Sequence, residues 1–227
     1  MRGESLKPQL IAIDGPVAAG KSSVGSLLAS KLNFVFFDTG MMYRAFTWKA
    51  ISLSISLEDE STLSQLASET TFDFSPSQGG NFSFLINGED ISSRLLCPEV
   101  EGKVSLVSRF AGIRQAMVSK QRMLAQRGRV VMAGRDIGTV VLPWAELKIF
   151  LVASVEERAN RRYSELVARR ETADFAAVLA ELKKRDGIDS HRAISPLRPA
   201  EDALTIDTEK LTLHQVVDKI YALAVNR

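Results

Sequence analysis

QLIAIDGPVAAGKSSVGSLLASKL, residues 9–32, decides the architecture. Its first seven residues form a short apolar run that ends in glycine, the pattern of a buried strand. Val24, Leu27, Leu28 and Leu32 then fall at the spacing of an amphipathic helix. Between strand and helix lies Gly15, Pro16, Val17, Ala18, Ala19, Gly20, Lys21, Ser22, which matches GxxxxGK[ST]. The glycines let the backbone wrap closely around a phosphate and take positive φ. The helix N-terminus aims N–H groups and partial positive charge at the anion. Lys21 has the reach for β- and γ-phosphates, and the Ser22 hydroxyl suits Mg²⁺, with Ser23 completing the loop. At ordinary glycine usage, chance supplies such a match in roughly 1% of chains of this length. The strand before it and the helix after it are read independently and reduce that figure further.

Outward from this loop, FVFFDTG (34–40), VVMAG (130–134), LKIFLVA (147–153) and ALTID (203–207) read as further strands. Helical patterns lie between them near 110–127, 155–170, 173–186 and 211–224. Wholly apolar strands separated by helices imply a parallel sheet covered on both faces, an α/β fold. One region departs from this rhythm. Residues 70–92 hold two short alternating strands around Gly79-Gly80, followed by Asn87-Gly88, and both dipeptides signal hairpins. A small antiparallel insert is therefore expected at about 60–105.

Composition excludes several classes. The 227 residues are 45% apolar and 25% charged with a net charge of +2, which excludes intrinsic disorder. Cys97 is the single cysteine, so no disulfide scaffold exists and a cytoplasmic setting is expected. MRGESLKPQ lacks the apolar segment of an export signal, and no apolar run approaches a membrane span. Neither membrane nor nucleic acid is an expected partner, since acidic and basic residues are interspersed. A GTPase of the common kind would carry NKxD, and the chain has no Asn-Lys pair.

Phosphoryl transfer between two phosphates gathers negative charge, which the protein must neutralise and align. Arginine suits that task. Eight of the 18 arginines fall within 155–200. Arg158, Arg161 and Arg162 share a helix face by their i, i+3, i+4 spacing. They read as phosphate-facing; the plain alternative is a solvated face paired with Glu157 and Glu165. Arg185, Asp189 and Arg192 also share a face, and Gly187 suggests a helix that frays there, as in a closing lid. Tyr43 and Arg44 lie one turn into the helix after the second strand, where an acceptor phosphate fits Arg44; ordinary packing is the alternative for Tyr43. Gly134, Arg135 and Asp136 follow the 130–134 strand at its carboxyl end, where ligands of such sheets bind. The alternative there is a turn with a surface ion pair.

IDGPVAAGKSS, DTGMMYRA, SRFAGIRQAM, GRDIGTVVLPWAELKIFLVAS, EERANRRY and KKRDGIDSHRAISPLRPAEDALTIDT together resemble the bacterial-type cytidylate kinases, in that family's order and across nearly the whole chain. The resemblance implies a P-loop NTPase three-layer sandwich with a five-stranded parallel sheet. It implies a core of 1–59 and 106–227, an NMP-binding insert at 60–105 and an arginine-rich lid at about 157–192. It also implies transfer of the γ-phosphate of ATP, with Mg²⁺, to CMP or dCMP by what is expected to be a monomer. Thr39, Tyr43 and Arg44 would contact the acceptor nucleotide. Ser105, Arg114, Asp136 and Arg192 would read the cytosine edge, and Arg185 and Asp189 would hold sugar and phosphate. Arg135 would hold the acceptor phosphate, and Arg158, Arg161 and Arg162 would belong to the lid. Ser23 and Thr39 stand where relatives often carry the other hydroxyl residue, which keeps the chemistry. A kinase for another acceptor (UMP, AMP, shikimate) and a non-enzymatic nucleotide binder are the rival readings.

Overall fold

A computed structural model describes residues 8–76, 82–95, 97–126 and 128–226 of the chain. Two compact units emerge: the chain up to Asp38 together with Ala125 onward, and Thr39–Leu124.

The first unit is built on five parallel strands: β1 (Leu10–Asp14), β2 (Val35–Asp38), β6 (Val130–Gly134), β7 (Leu147–Val152) and β8 (Leu204–Asp207). Their order is β2-β6-β1-β7-β8. Helices α1 (Lys21–Leu32) and α8 (Leu213–Val225) lie on one face. Val24, Leu28 and Leu32 of α1 and Val216, Val217 and Ile220 of α8 join Ile11, Ile13, Val131, Ile149 and Leu151 in one buried cluster. The alternate strand residues Ala12 and Met132 are also fully buried, so β1 and β6 carry apolar side chains on both faces. The unit is completed by α6 (Val155–Ala168) and α7 (Phe175–His191), which pack on one another.

The second unit holds α2 (Thr39–Ser52), α3 (Glu60–Glu69), a sheet of β3 (Phe72–Pro76), β4 (Phe82–Ile86) and β5 (Glu89–Asp90), α4 (Pro98–Val107) and most of α5 (Ala111–Ala125). The sheet is antiparallel in the order β3-β4-β5. Asn87 and Gly88, with φ of 49° and 84°, make the β4–β5 turn. The Gly79-Gly80 turn lies outside the described residues. Residues 60–105, read as the insert, fall inside this unit.

Thr39 is the first residue of α2. Two local features differ from the sequence reading. Helix α7 continues through Gly187 to His191. An open helical glycine costs about 1 kcal/mol relative to alanine, and Asp189, two residues further on, is anchored to Arg135 at the end of β6. A π-helical turn, Ile137–Val141, follows β6 where no helix was expected.

That turn is held by Asp14. The last residue of β1 pairs with Gly134 at the end of β6. Its carboxylate accepts hydrogen bonds from the amides of Ile137 at 2.8 Å and Gly138 at 2.7 Å. Burial pushes the Asp14 carboxyl up from 3.8 to about 6; the two amides and Lys21 oppose that rise, and Asp136 adds to it. The native state therefore binds this proton more tightly than the unfolded chain. Through this group, stability falls as pH rises from about 4 to 6, by about 3 kcal/mol in all. Asp14→Asn removes that dependence. Urea unfolding at pH 4 and pH 7 is expected to show a wild-type advantage larger at pH 4 by about 2 kcal/mol; an advantage equal at both would contradict this role.

Candidate active site

The loop after β1 carries three residues at positive φ: Gly15 at 150°, Ala18 at 59° and Gly20 at 89°. A Cβ on Gly15 would stand 2.3 Å from the Leu151 carbonyl oxygen of β7, so only glycine lets the loop leave β1 there. Gly20 caps α1 with no side-chain acceptor, which leaves the first amides of the helix facing the loop. Lys21 is 7% exposed and its ammonium donates to the Pro16 carbonyl at 2.5 Å. Burial holds that ammonium well below its ordinary range and Arg135 adds to the effect, while Asp38, Asp14 and Asp189 oppose it. Pro16, Val17 and Ala18 are half-buried, Ala19 is buried, and Ser22 and Ser23 face outward.

Asp38 ends β2 level with Ala133 of β6. Ser22 Oγ donates to Asp38 Oδ2 at 2.5 Å. A hydroxyl and a carboxylate beside a phosphate-binding loop are hard oxygen donors. They fit Mg²⁺, which takes one or two carboxylates and fills its shell with phosphates and water. No group of three or more His, Cys, Asp or Glu that could hold a metal occurs among the described residues, so an all-protein cage is not the arrangement here.

The end of β6 meets the end of α7. Arg135 Nε donates to Asp189 Oδ2 at 2.8 Å. Arg192 lies 3.8 Å from Asp136 Oδ1 and 3.9 Å from Asp189 Oδ1, and its Nε donates to the Ser195 carbonyl. Burial alone would raise the Asp189 carboxyl, but Arg135, Arg192 and Arg185 together hold it below the usual carboxylate range. Arg135, Asp136, Asp189 and Arg192 thus form one cluster, with the half-buried Arg185 contributing charge.

The three arginines of α6 do not act as one face. Arg158 is 5% exposed and reaches the Val17 carbonyl at 3.2 Å. Arg161 donates to Glu157 and to both oxygens of Thr208 beyond β8. Arg162 donates to Glu165 at 2.9 Å. Both carboxylates of the solvated-face alternative are therefore engaged, while Arg158 goes to the phosphate loop. The i, i+3, i+4 spacing is real, but Arg158 turns inward because Asp186 and two carbonyls satisfy it there.

In the second unit, Thr39 and Tyr43 are buried on α2. The Arg114 guanidinium lies 5.6 Å from the Tyr43 ring centroid and donates to the Ser108 carbonyl at 3.2 Å. The Ser108 hydroxyl donates to the Ser105 carbonyl, so Tyr43, Arg114 and Ser105 are joined through Ser108. Arg44 faces Glu101 at 3.7 Å. Ser105 and Arg114 thus belong to one unit and Asp136 and Arg192 to the other.

Sequence reasoning assigned no role to Asp14, Asp38, Glu101 or Asp186. The first two each end a strand, Asp14 before the Gly15 loop and Asp38 before α2; those positions were readable, but their partners were not. Asp186 sits between Arg185 and Gly187, where helix spacing did not reveal its partner.

The cytidylate kinase family model matches residues 11–226. The chain is 48% identical over 217 residues to a cytidylate kinase of Geobacillus sp. (strain WCH70), with 96% of each covered. It is 46% identical over 210 residues to that of Bacillus subtilis, covering 92% of this chain and 93% of that one. Among solved structures, a gluconokinase from Sinorhizobium meliloti aligns with a TM-score of 0.50 at 15% identity, covering 96% and 95% of the two chains. A shikimate kinase from Bacteroides thetaiotaomicron aligns with a TM-score of 0.50 at 12% identity, covering 94% and 97%. Those two likenesses concern the fold alone. The family match and the near-complete relatives agree along the same stretch of sequence, and this chain belongs to the cytidylate kinase family.

Proposed function

We propose that the protein transfers the γ-phosphate of ATP to CMP or dCMP, giving CDP or dCDP and ADP. Family membership over residues 11–226 carries this reading. The positions of Lys21, Arg135 and Asp136 at the carboxyl ends of β1 and β6 support it.

The roles follow from the chemistry of each group. Residues 15–23 cradle the triphosphate with backbone amides, and Lys21 moves from the Pro16 carbonyl to the β- and γ-phosphates. Ser22, with Asp38 beside it, would hold Mg²⁺, which when bound neutralises phosphate charge. Arg135 and Arg44 take the acceptor phosphate. The carboxylate of Asp136 accepts from the exocyclic amine of cytosine, which uracil replaces with a carbonyl. Ser105, Arg114 and Arg192 complete that edge, Thr39 and Tyr43 pack the nucleotide, and Arg185 and Asp189 hold sugar and phosphate. Arg161 and Arg162 lie on the helix that closes the donor side with Arg158. An acceptor phosphate oxygen attacks the γ-phosphorus in line, the new O–P bond forms, and the bond to the β-phosphate oxygen breaks to release ADP. That oxygen needs no general base, because the second phosphate ionisation lies near pH 6. No helix among the described residues is long and apolar enough to cross a membrane.

Two tests follow. ADP release is measured with CMP, dCMP, UMP, AMP and GMP offered separately. Turnover should be strong with CMP and dCMP; equal or greater turnover with a purine monophosphate would overturn the acceptor assignment. Asp136→Ala should narrow the preference for CMP over UMP by tenfold or more, about the discrimination one buried hydrogen-bonding group supplies. An unchanged ratio would remove Asp136 from that role. Lys21→Ala should fold normally and lose at least 100-fold in kcat, as loss of a group that stabilises transferring charge does.

A further inference from the structure

Arg158 of α6 reaches the phosphate loop, and the carboxylate of Asp186 holds it there. Its Nη2 donates to Asp186 Oδ2 at 2.7 Å and its Nη1 to Asp186 Oδ1 at 3.2 Å, a fork-on-fork pair. Nη1 also donates to the Val17 carbonyl inside the loop, and Nε donates to the Ala153 carbonyl after β7. The Arg158 side chain is 6% exposed and that of Asp186 is 23% exposed. A guanidinium this buried needs a counter-charge, and removing one partner of such a pair leaves the other uncompensated. Without Asp186, two of the four hydrogen bonds go and the charge turns toward water, away from Val17.

Three residues further along α7, Asp189 clasps Arg135 at the end of β6. The last turns of α7 therefore carry two carboxylates with separate clients. One leads through Arg158 to the phosphate loop, the other to the cluster assigned to the acceptor. We infer that Asp186 is a positioning residue for the donor side: it holds the Arg158 guanidinium against the phosphate loop and so sets the affinity of the loop for the triphosphate. This rests on the kinase reading of the loop.

The shared helix supplies the discriminating readout. If Asp186 merely stiffened α7, its loss would disturb Asp189 and Arg192 as well and weaken the acceptor. Asp186→Ala is expected to raise the KM for ATP and the Kd for the β,γ-imido analogue of ATP with Mg²⁺ about tenfold, the worth of a charge-assisted pair. The KM for CMP should stay within about twofold, and the CMP-to-UMP ratio should not change. The double variant Asp186→Ala, Arg158→Ala should bind the analogue no more weakly than Arg158→Ala alone, because both act through one group. Asp186→Asn, of nearly the same shape, carries the comparison if the alanine variant does not fold, with an intermediate loss expected. A parallel rise in the CMP constant, additive losses in the double variant, or unchanged analogue affinity would each overturn the assignment. Analogue binding is read without any acceptor. Failure of the wild type to phosphorylate CMP would therefore strike the proposed activity and leave the Asp186 comparison intact.

Discussion

The carboxylate of Asp14 is the constraint on which the rest of the first unit depends. A parallel sheet places the carboxyl ends of β1 and β6 side by side, and the register sets Asp14 opposite Gly134. Adjacency alone would leave the chain after β6 free to leave in any direction. Asp14 binds the amides of Ile137 and Gly138, turns the segment into the π-helical turn, and fixes Arg135 and Asp136 at the mouth of the phosphate loop. A π turn often marks a functional site because it is less favourable than the α-helix it replaces and needs such support.

The second constraint is charge. Lys21, Arg135, Arg158, Arg185 and Arg192 bring cations to one small region, in a chain whose net charge is only +2. Asp186 and Asp189 pair with Arg158 and Arg135, and Asp136 faces Arg192. These pairings hold the guanidinium groups in defined rotamers, so that in the proposed kinase their orientation is settled before a phosphate arrives.

Much of this was legible in the sequence. The period-free apolar runs at 130–134 and 147–153 read as buried strands because a parallel sheet hides both faces, and β6 matches its reading residue for residue. The loop at 15–22 was legible because glycine is demanded there by geometry, as the 2.3 Å approach of a Gly15 Cβ to Leu151 illustrates. Local rules were less informative where distant partners decide. Gly187 reads as a helix end, yet the helix runs on to Asp189, whose partner Arg135 lies 54 residues away, and Asp186 likewise finds its arginine 28 residues away. Helix spacing put Arg158, Arg161 and Arg162 on one face, but could not say that Arg158 turns to Val17 while Arg162 stays with Glu165. Asp14 escaped notice as a functional group because its partners are backbone amides, which no side-chain pattern records.

The most direct test follows the phosphorus atom itself. ATP labelled at the γ-phosphate is mixed with CMP, Mg²⁺ and the protein, and the products are separated. Label should appear in the β-phosphate of CDP, in step with ADP formation and without loss to inorganic phosphate, as expected for direct in-line transfer from a site that excludes water. Label recovered only as inorganic phosphate, or ATP bound and left intact in the presence of CMP, would contradict the account.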